Sequence, residues 1–431
     1  MRRGRAPGRR LLELGKDLLI VFLVLANLTL AIMCLPTKTL TKTPWLAGAL
    51  RPFAGLFGLN EAELTYTAPA TGSTIIGAAQ PIAVTLQTDA GRQSAQYDFA
   101  ALDTLYSQYG GLLAQALDSA EAPQACTRAE VYRALRGTSA AFCFPGAIAP
   151  SVLGAWLNVR APEAEAAQWY LLAQTGQSVT LYLLGDSCQA ASTTLAPETL
   201  VAELAAAVPD GSFFAFESGE APYSALDPFS LVSASEPMVC TGLSANPCDA
   251  RFISALATRI GINPYADARY VASDGTTSFT ETGLTLRVSA QGRIELLIQQ
   301  ADPRFQSASA AARDRIEAAR SLLSTLTGDS YGEARVYLQS YQADGQSAVC
   351  TFGYYLSGIE VVPRGGGIEI CFDGTQISRA SVLYRTFSGT TDAAPLLPAA
   401  QAAACLSDGA PLRLLYAESA GGTLSAGWET R

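Results

Sequence analysis

Leu18 to Leu35, LLIVFLVLANLTLAIMCL, contains no charged residue. As a helix it spans about 27 Å, close to the thickness of a bilayer core. The ten residues that open the chain, MRRGRAPGRR, hold five arginines. Basic flanks stay on the cytoplasmic side of a membrane. The expected topology is a cytoplasmic tail over 1–17, a transmembrane helix over 18–36 and an extracytoplasmic remainder. A cleaved leader needs a small-x-small site just after its apolar run, and Met33-Cys34-Leu35-Pro36 offers none. A lipoprotein site at Cys34 would want a small residue where Met33 stands. The run therefore predicts an uncleaved, single-pass anchor in the cell membrane.

The anchor is not uniformly apolar. Asn27 is costly in lipid unless it is hydrogen-bonded. Thr29 lies on the same stretch, and Ala26 and Ala31 are small enough to admit a second helix. These four residues are expected to form a helix–helix contact rather than a bare tether.

Charge and residue usage then exclude function classes. The chain carries a net charge of −9, and after Asp17 it has 23 basic against 36 acidic residues. Such a surface repels nucleic acid. Histidine is absent, and no lysine follows Lys42. Ser-His-Asp and Cys-His catalysis, histidine zinc sites and Schiff-base lysines are thereby unavailable to the outer part. The expectation is a non-enzyme with no metal and no cofactor. Arg364-Gly365-Gly366-Gly367 is rich in glycine, but no helix follows it. It reads as a hairpin turn rather than a phosphate loop.

Eight of the nine cysteines lie beyond the membrane run: Cys126, Cys143, Cys188, Cys240, Cys248, Cys350, Cys371 and Cys405. An even number in an oxidising compartment suits disulfides, though eight cysteines permit 105 pairings. Cys240 and Cys248 bracket a short loop, TGLSANP, and are candidates for a local pair. Cys126 and Cys143 bracket one predicted helix and are candidates for another. Reduced core cysteines are the alternative.

Along the chain, 37–75 reads as a juxtamembrane linker. Pro81 to Asp98 predicts a β-hairpin turning at Asp89-Ala90-Gly91. Asp98 caps the helix that follows, with Gly110-Gly111 expected to weaken it. Thr127-Arg128-Ala129-Glu130 is a capping box, and Gly137 stops its helix. AAFCFPGAIAPSVLGAWL predicts a short strand, a proline turn and a helix from Ser151. A hairpin turning at Thr175-Gly176 follows, then a helix from Pro197 to about Val208. The middle stretch predicts a helix near 248–260 and strands flanking Gln291-Gly292. A long helix is expected from Pro303 to Thr325, with Gly328 just beyond it. Alternating strands come next, broken at Asp344-Gly345, Ser357-Gly358, 365–367 and Asp373-Gly374, and a helix near Pro398 to Leu406. Strands arrive in hairpins rather than singly between helices, so the fold class is α+β with antiparallel sheets. Three domains are expected: 76–211, 212–301 and 302–431. Leu284 to Ile298 and Ile368 to Leu383 share one strand–turn–strand pattern, which suggests an internal duplication.

A basic tail, one uncleaved helix and an α+β outer region of this size resemble the YycH family. Three phrases carry the likeness: FCFPGAIAPSVL (142–153), GINPYADARYVASDGTTSFTETGLTLRVSAQGRIEL (261–296) and TFGYYLSGIEVVPRGGGIEICFDGTQISRA (351–380). The resemblance implies a regulator without catalysis. Its partners would be a cell-wall-sensing histidine kinase of the WalK type, a YycI-like accessory protein and the bilayer, with no nucleic acid. The alternatives are a cell-wall-binding module and a carboxylate-dependent hydrolase. Tyr331, Tyr337, Tyr341, Tyr354 and Tyr355 would line the groove of the former. Asp267, Asp274, Glu281 and Glu295 are the carboxylates available to the latter.

Overall fold

The structure is a computed structural model that describes residues 79–429 except Ser235, 263–268, Thr282 and Asp408. The tail, the 18–36 run, the linker and the contact residues Ala26, Asn27, Thr29 and Ala31 lie outside the described residues, as does Asp267. Among the described residues no helix is long and apolar enough to cross a membrane. The described part is α+β.

The first sheet holds β1 (Ala83–Thr88), β2 (Gly91–Gln96), β3 (Gln124–Ala125), β4 (Ser139–Ile148), β5 (Ala167–Thr175), β6 (Ser178–Leu184) and β7 (Cys188–Ser192). Its order is β2-β1-β4-β5-β6-β7-β3, and every pairing is antiparallel. Helix α1 (Phe99–Ser119) packs on it through Leu102, Leu105, Tyr109, Leu112, Leu113 and Leu117. That three-and-four spacing keeps the apolar side chains on one stripe. Each buried leucine contributes about 1.5–3 kcal/mol. Asp98 caps the helix by accepting from the Ala100 and Ala101 amides at 2.8 and 3.3 Å. The Gly110-Gly111 pair leaves α1 unbroken. Gly110 is instead needed for space, because a Cβ there would stand 2.9 Å from the Tyr106 ring. Helix α2 (Arg128–Arg136) has the expected capping box. Thr127 Oγ1 accepts from the Glu130 amide at 3.3 Å, and Glu130 accepts from the Thr127 amide at 2.7 Å. Helices α3 (Pro150–Leu157) and α4 (Pro197–Leu204) complete this part, α4 ending a turn before the expected Val208.

A two-stranded ladder, β8 (Phe213–Phe214) with β9 (Leu231–Val232), and the short α5 (Ala221–Ser224) lead into the second sheet. Its strands are β10 (Cys240–Ala245), β11 (Arg269–Val271), β12 (Thr277–Glu281), β13 (Leu284–Val288), β14 (Arg293–Ile298) and β15 (Arg335–Asp344). They continue with β16 (Ser347–Leu356), β17 (Ile359–Val362), β18 (Ile368–Asp373) and β19 (Gln376–Leu383). The last are β20 (Thr386–Ala393), β21 (Arg413–Glu418) and β22 (Thr423–Glu429). The order runs β11-β12-β13-β14-β19-β18-β16-β17-β21-β22-β10-β20, with β15 on the other side of β16. Only β17 and β21 run parallel among the described pairs. Helices α6 (Ala250–Arg259), α7 (Ala312–Thr327) and α8 (Ala399–Ala404) belong to this part.

Hairpins β13–β14 and β18–β19, the two that share a sequence pattern, lie side by side through β14 and β19. That pairing joins residues on either side of the expected 301/302 boundary in one continuous sheet. The first sheet also meets the second. Gly146 sits so close to β15 that a Cβ would fall 1.8 Å from the Gln339 carbonyl oxygen. Trp156 Nε1 donates to Glu317 Oε1 at 2.6 Å, tying α3 to α7. Arg335 on β15 pairs with Asp103 on α1 at 2.6 Å and covers the Phe99 ring.

Three local expectations are corrected. The proline turn in AAFCFPGAIAP is a bulge, because β4 continues through Pro145 to Ile148 with a register shift after Cys143. Proline is tolerated there since a bulge leaves its missing N–H unneeded. The long helix begins at Ala312, not Pro303, which opens only a 3₁₀ turn. It does end at Gly328, whose φ of +70° closes it. TGLSANP is not a loop, since Cys240–Ala245 form β10 between β20 and β22.

Candidate functional site

Arg364-Gly365-Gly366-Gly367 is not a hairpin turn. Strands β17 and β18 run the same way along one edge of β16, with Tyr354 opposite Val361 and Phe352 opposite Ile368. A two-residue step on β16 therefore faces a seven-residue step from β17 to β18. The excess, Pro363 to Gly367, leaves the ladder as a loop. It departs because β17 turns to pair with β21, while β18 stays with β16 and β19. Gly365 and Gly366 adopt φ of +105° and +108°, which side-chain-bearing residues avoid.

The loop walls a cleft of about 560 Å³. Arg364 and Gly365 of the loop line it. Also lining it are Arg293 at the start of β14, Arg385 just after β19, and Glu418 at the end of β21. Glu418 is nearly buried and fully engaged. It accepts from Arg385 Nε at 3.2 Å, the Ser244 hydroxyl at 2.7 Å and the Arg364 amide at 2.8 Å. Arg385 also donates through Nη1 to the Gln291 and Tyr384 carbonyls at 2.6 and 3.1 Å. Arg293 donates to the Ser381 hydroxyl at 2.8 Å and to the Gly365 carbonyl, holding the loop against β14. Neither Arg293 nor Arg364 has a carboxylate within salt-bridge distance among the described residues. The Arg364 guanidinium is exposed and has no protein hydrogen bond among them. The cleft thus presents three guanidinium groups against one neutralised carboxylate, on a chain of net charge −9. A second cleft of about 430 Å³ shares Arg293 and lies across the loop, beside Arg379 and Glu369.

Sequence reasoning missed this site. Arg364 was visible beside its glycines, but Arg293, Arg385 and Glu418 are brought to it by pairings between strands far apart in sequence.

All eight described cysteines are free thiols. The two local pairings fail on geometry. β10 runs extended between Cys240 and Cys248 for about 17 Å and delivers Cys248 to the β13–β14 turn, near Gly292. Cys126 directly follows β3 at the sheet edge, four strands or about 19 Å from β4, which carries Cys143. A disulfide needs Cα atoms within about 7 Å. Cys350 and Cys371 lie on neighbouring strands, but Cys350 faces Ile370 and Val349 faces Cys371, so the pleat turns the two thiols to opposite faces. Cys126 and Cys188 stand opposite one another. They continue the β3–β7 register, and the Cys126 amide donates to the Cys188 carbonyl at 3.0 Å. Burial pushes the Cys126 thiol up to about 11, with Cys188 adding to the shift. Burial likewise pushes Cys143, Cys248 and Cys350 up to about 12. Cys405 is exposed.

The tyrosines proposed for a groove are mostly core. Tyr337, Tyr354 and Tyr355 are buried, and Tyr337–Tyr355 and Tyr331–Tyr354 pack edge to face. Tyr341 accepts from Arg315 at 3.3 Å. Asp274 caps a turn by accepting from the Thr276 amide at 2.9 Å, a bond that holds its carboxyl below the usual range. Glu295 lies 4.0 Å from Arg379, and Glu281 ends β12.

Comparison with family models, with curated proteins and with solved structures finds no match to this chain.

Proposed function

We propose that the protein is a membrane-anchored regulator whose α+β body lies outside the cytoplasm and modulates a two-component sensor histidine kinase, as YycH-like proteins do. The observation that carries the reading is the order of the chain. An arginine-rich tail precedes an uncharged run long enough to span a bilayer, and a large acidic body follows. The run brings the body to the membrane beside the kinase. Asn27 offers an interhelical hydrogen bond worth about 0.6–2 kcal/mol, enough to bias a weak helix–helix equilibrium. Ala26, Thr29 and Ala31 let the partner helix approach. A YycI-like protein is the second partner, and no cofactor takes part.

The test replaces Asn27→Leu, and separately exchanges Leu18 to Leu35 for polyleucine, reading a promoter that depends on the kinase. Changed output from a stably inserted variant supports the helix contact. Normal regulation by both variants makes the helix a passive tether. Protease added to intact protoplasts should remove the body, and protection of the body contradicts the topology.

A further inference from the structure

We infer that the cleft beneath the Pro363–Gly367 loop is a binding site for a small oxyanion, a carboxylate or a phosphate, held by Arg293 and Arg364. The inference goes beyond the regulatory reading and stands whether or not the chain is anchored.

Arg385 belongs to the scaffold, since Glu418 and two carbonyls occupy it. Arg293 is half scaffold. It fixes the loop through Gly365 and β19 through Ser381, both neutral acceptors, and no carboxylate among the described residues stands within salt-bridge distance of it. Among the described residues the Arg364 side chain has no hydrogen-bond partner, and its amide donates to Glu418. A chain with 38 acidic residues against 29 basic ones has carboxylates to spare for pairing these two arginines. Instead, the one carboxylate lining the cleft among the described residues is taken up by Arg385, Ser244 and the Arg364 amide. Two positive charges are therefore focused in a concave wall, where they attract an anion more strongly than on a convex surface. Guanidinium forks match the two oxygens of a carboxylate or phosphate, with charge-assisted bonds about twice as strong as neutral ones. Ser289, Gln291 and Ser419 line the same cleft and add neutral polar groups for the remainder of the ligand. Because Arg293 also holds the Gly365 carbonyl, an anion drawing on Arg293 acts directly on the loop that joins β17 to β18.

Titration calorimetry of the full chain in detergent tests the site. The probes are inorganic phosphate and succinate, each against sodium chloride at matched ionic strength. Saturable binding of either probe is expected, at least tenfold weaker in Arg364→Gln, with Arg293→Gln weaker again. Arg313→Gln, an exposed arginine on α7 that loses the same charge elsewhere, should bind as the parent does. Binding of phosphate alone assigns a phosphate ligand, binding of succinate alone a carboxylate, and binding of both a general oxyanion site. Heats no different from sodium chloride overturn the inference. So does an Arg364→Gln protein, folded by circular dichroism, that binds no worse than Arg313→Gln.

Discussion

Removing the carboxylate under the cleft, Glu418→Ala, should cost about 3 kcal/mol of stability. Glu418 and Arg385 are 6% and 11% exposed in their side chains, and their contact is 3.2 Å. Losing one partner of a buried ion pair costs about 3–5 kcal/mol, chiefly because the remaining charge stays buried without compensation. The low end applies here. The cleft admits water to Arg385, and Gln291 and Tyr384 still accept from it. The Ser244 hydroxyl and the Arg364 amide lose their acceptor as well, so the value does not fall far below that end. The assay is urea unfolding followed by circular dichroism. With a slope of about 3 kcal/mol per molar, the midpoint should fall by about 1 M. The double variant Glu418→Ala with Arg385→Met should recover most of the loss, since an apolar replacement of a buried pair is often neutral. A single variant costing under about 0.5 kcal/mol, or a double variant whose cost is the sum of the two singles, refutes the coupling.

Gly146→Ala should destabilise by about 3 kcal/mol, the upper end for overpacking, because the new Cβ meets the Gln339 backbone rather than a movable side chain; the same unfolding assay checks it. Hydrogen bonds from Thr127 lower the Glu130 carboxyl below its usual range. Its contribution is therefore complete above the unfolded value near 4.3 and disappears as pH falls through the lower folded value. The stability difference between parent and Glu130→Gln should close as the pH is taken down through that window. In mass mapping after alkylation without reductant, Cys405 should label first, Cys143 and Cys350 last, and any disulfide found should join Cys126 to Cys188; a Cys240–Cys248 or Cys126–Cys143 bridge contradicts the strand order. The buried thiols of Cys143 and Cys350 and the half-buried thiol of Cys248 titrate later folded than unfolded, so stability should hold below about pH 8.5 and fall as pH rises toward about 12, a loss that Cys143→Ser should reduce.

What the sequence discloses here is local chemistry. Asp89-Ala90-Gly91 and Thr175-Gly176 turn where their residues say, because a two-residue hairpin is decided by its own φ angles, and Gln291-Gly292 lies in the four-residue connection between β13 and β14. Asp98 and the Thr127–Glu130 box start helices because each bonds amides within three residues. What it hides is pairing at a distance. Cys240–Ala245 has the composition of a loop and becomes a strand because β20 and β22 pair with it. Pro145 looks like a strand end and is a bulge because β5 resumes the ladder at Ile148. The arginine cleft is the extreme case. Its loop exists because β17 and β18 part company for different neighbours. Its charges come from positions 293, 364, 385 and 418, which no short-range pattern connects.

The central claim, that an anchored outer body modulates a membrane sensor kinase, is tested most directly by the phosphorylation of the kinase's response regulator in living cells. It is measured with the gene intact, deleted, and restored as the full chain or as a body lacking 1–36. The account predicts that deletion changes the phosphorylated fraction and that only the membrane-borne chain restores it. An unchanged fraction on deletion, or full restoration by the unanchored body, would contradict it.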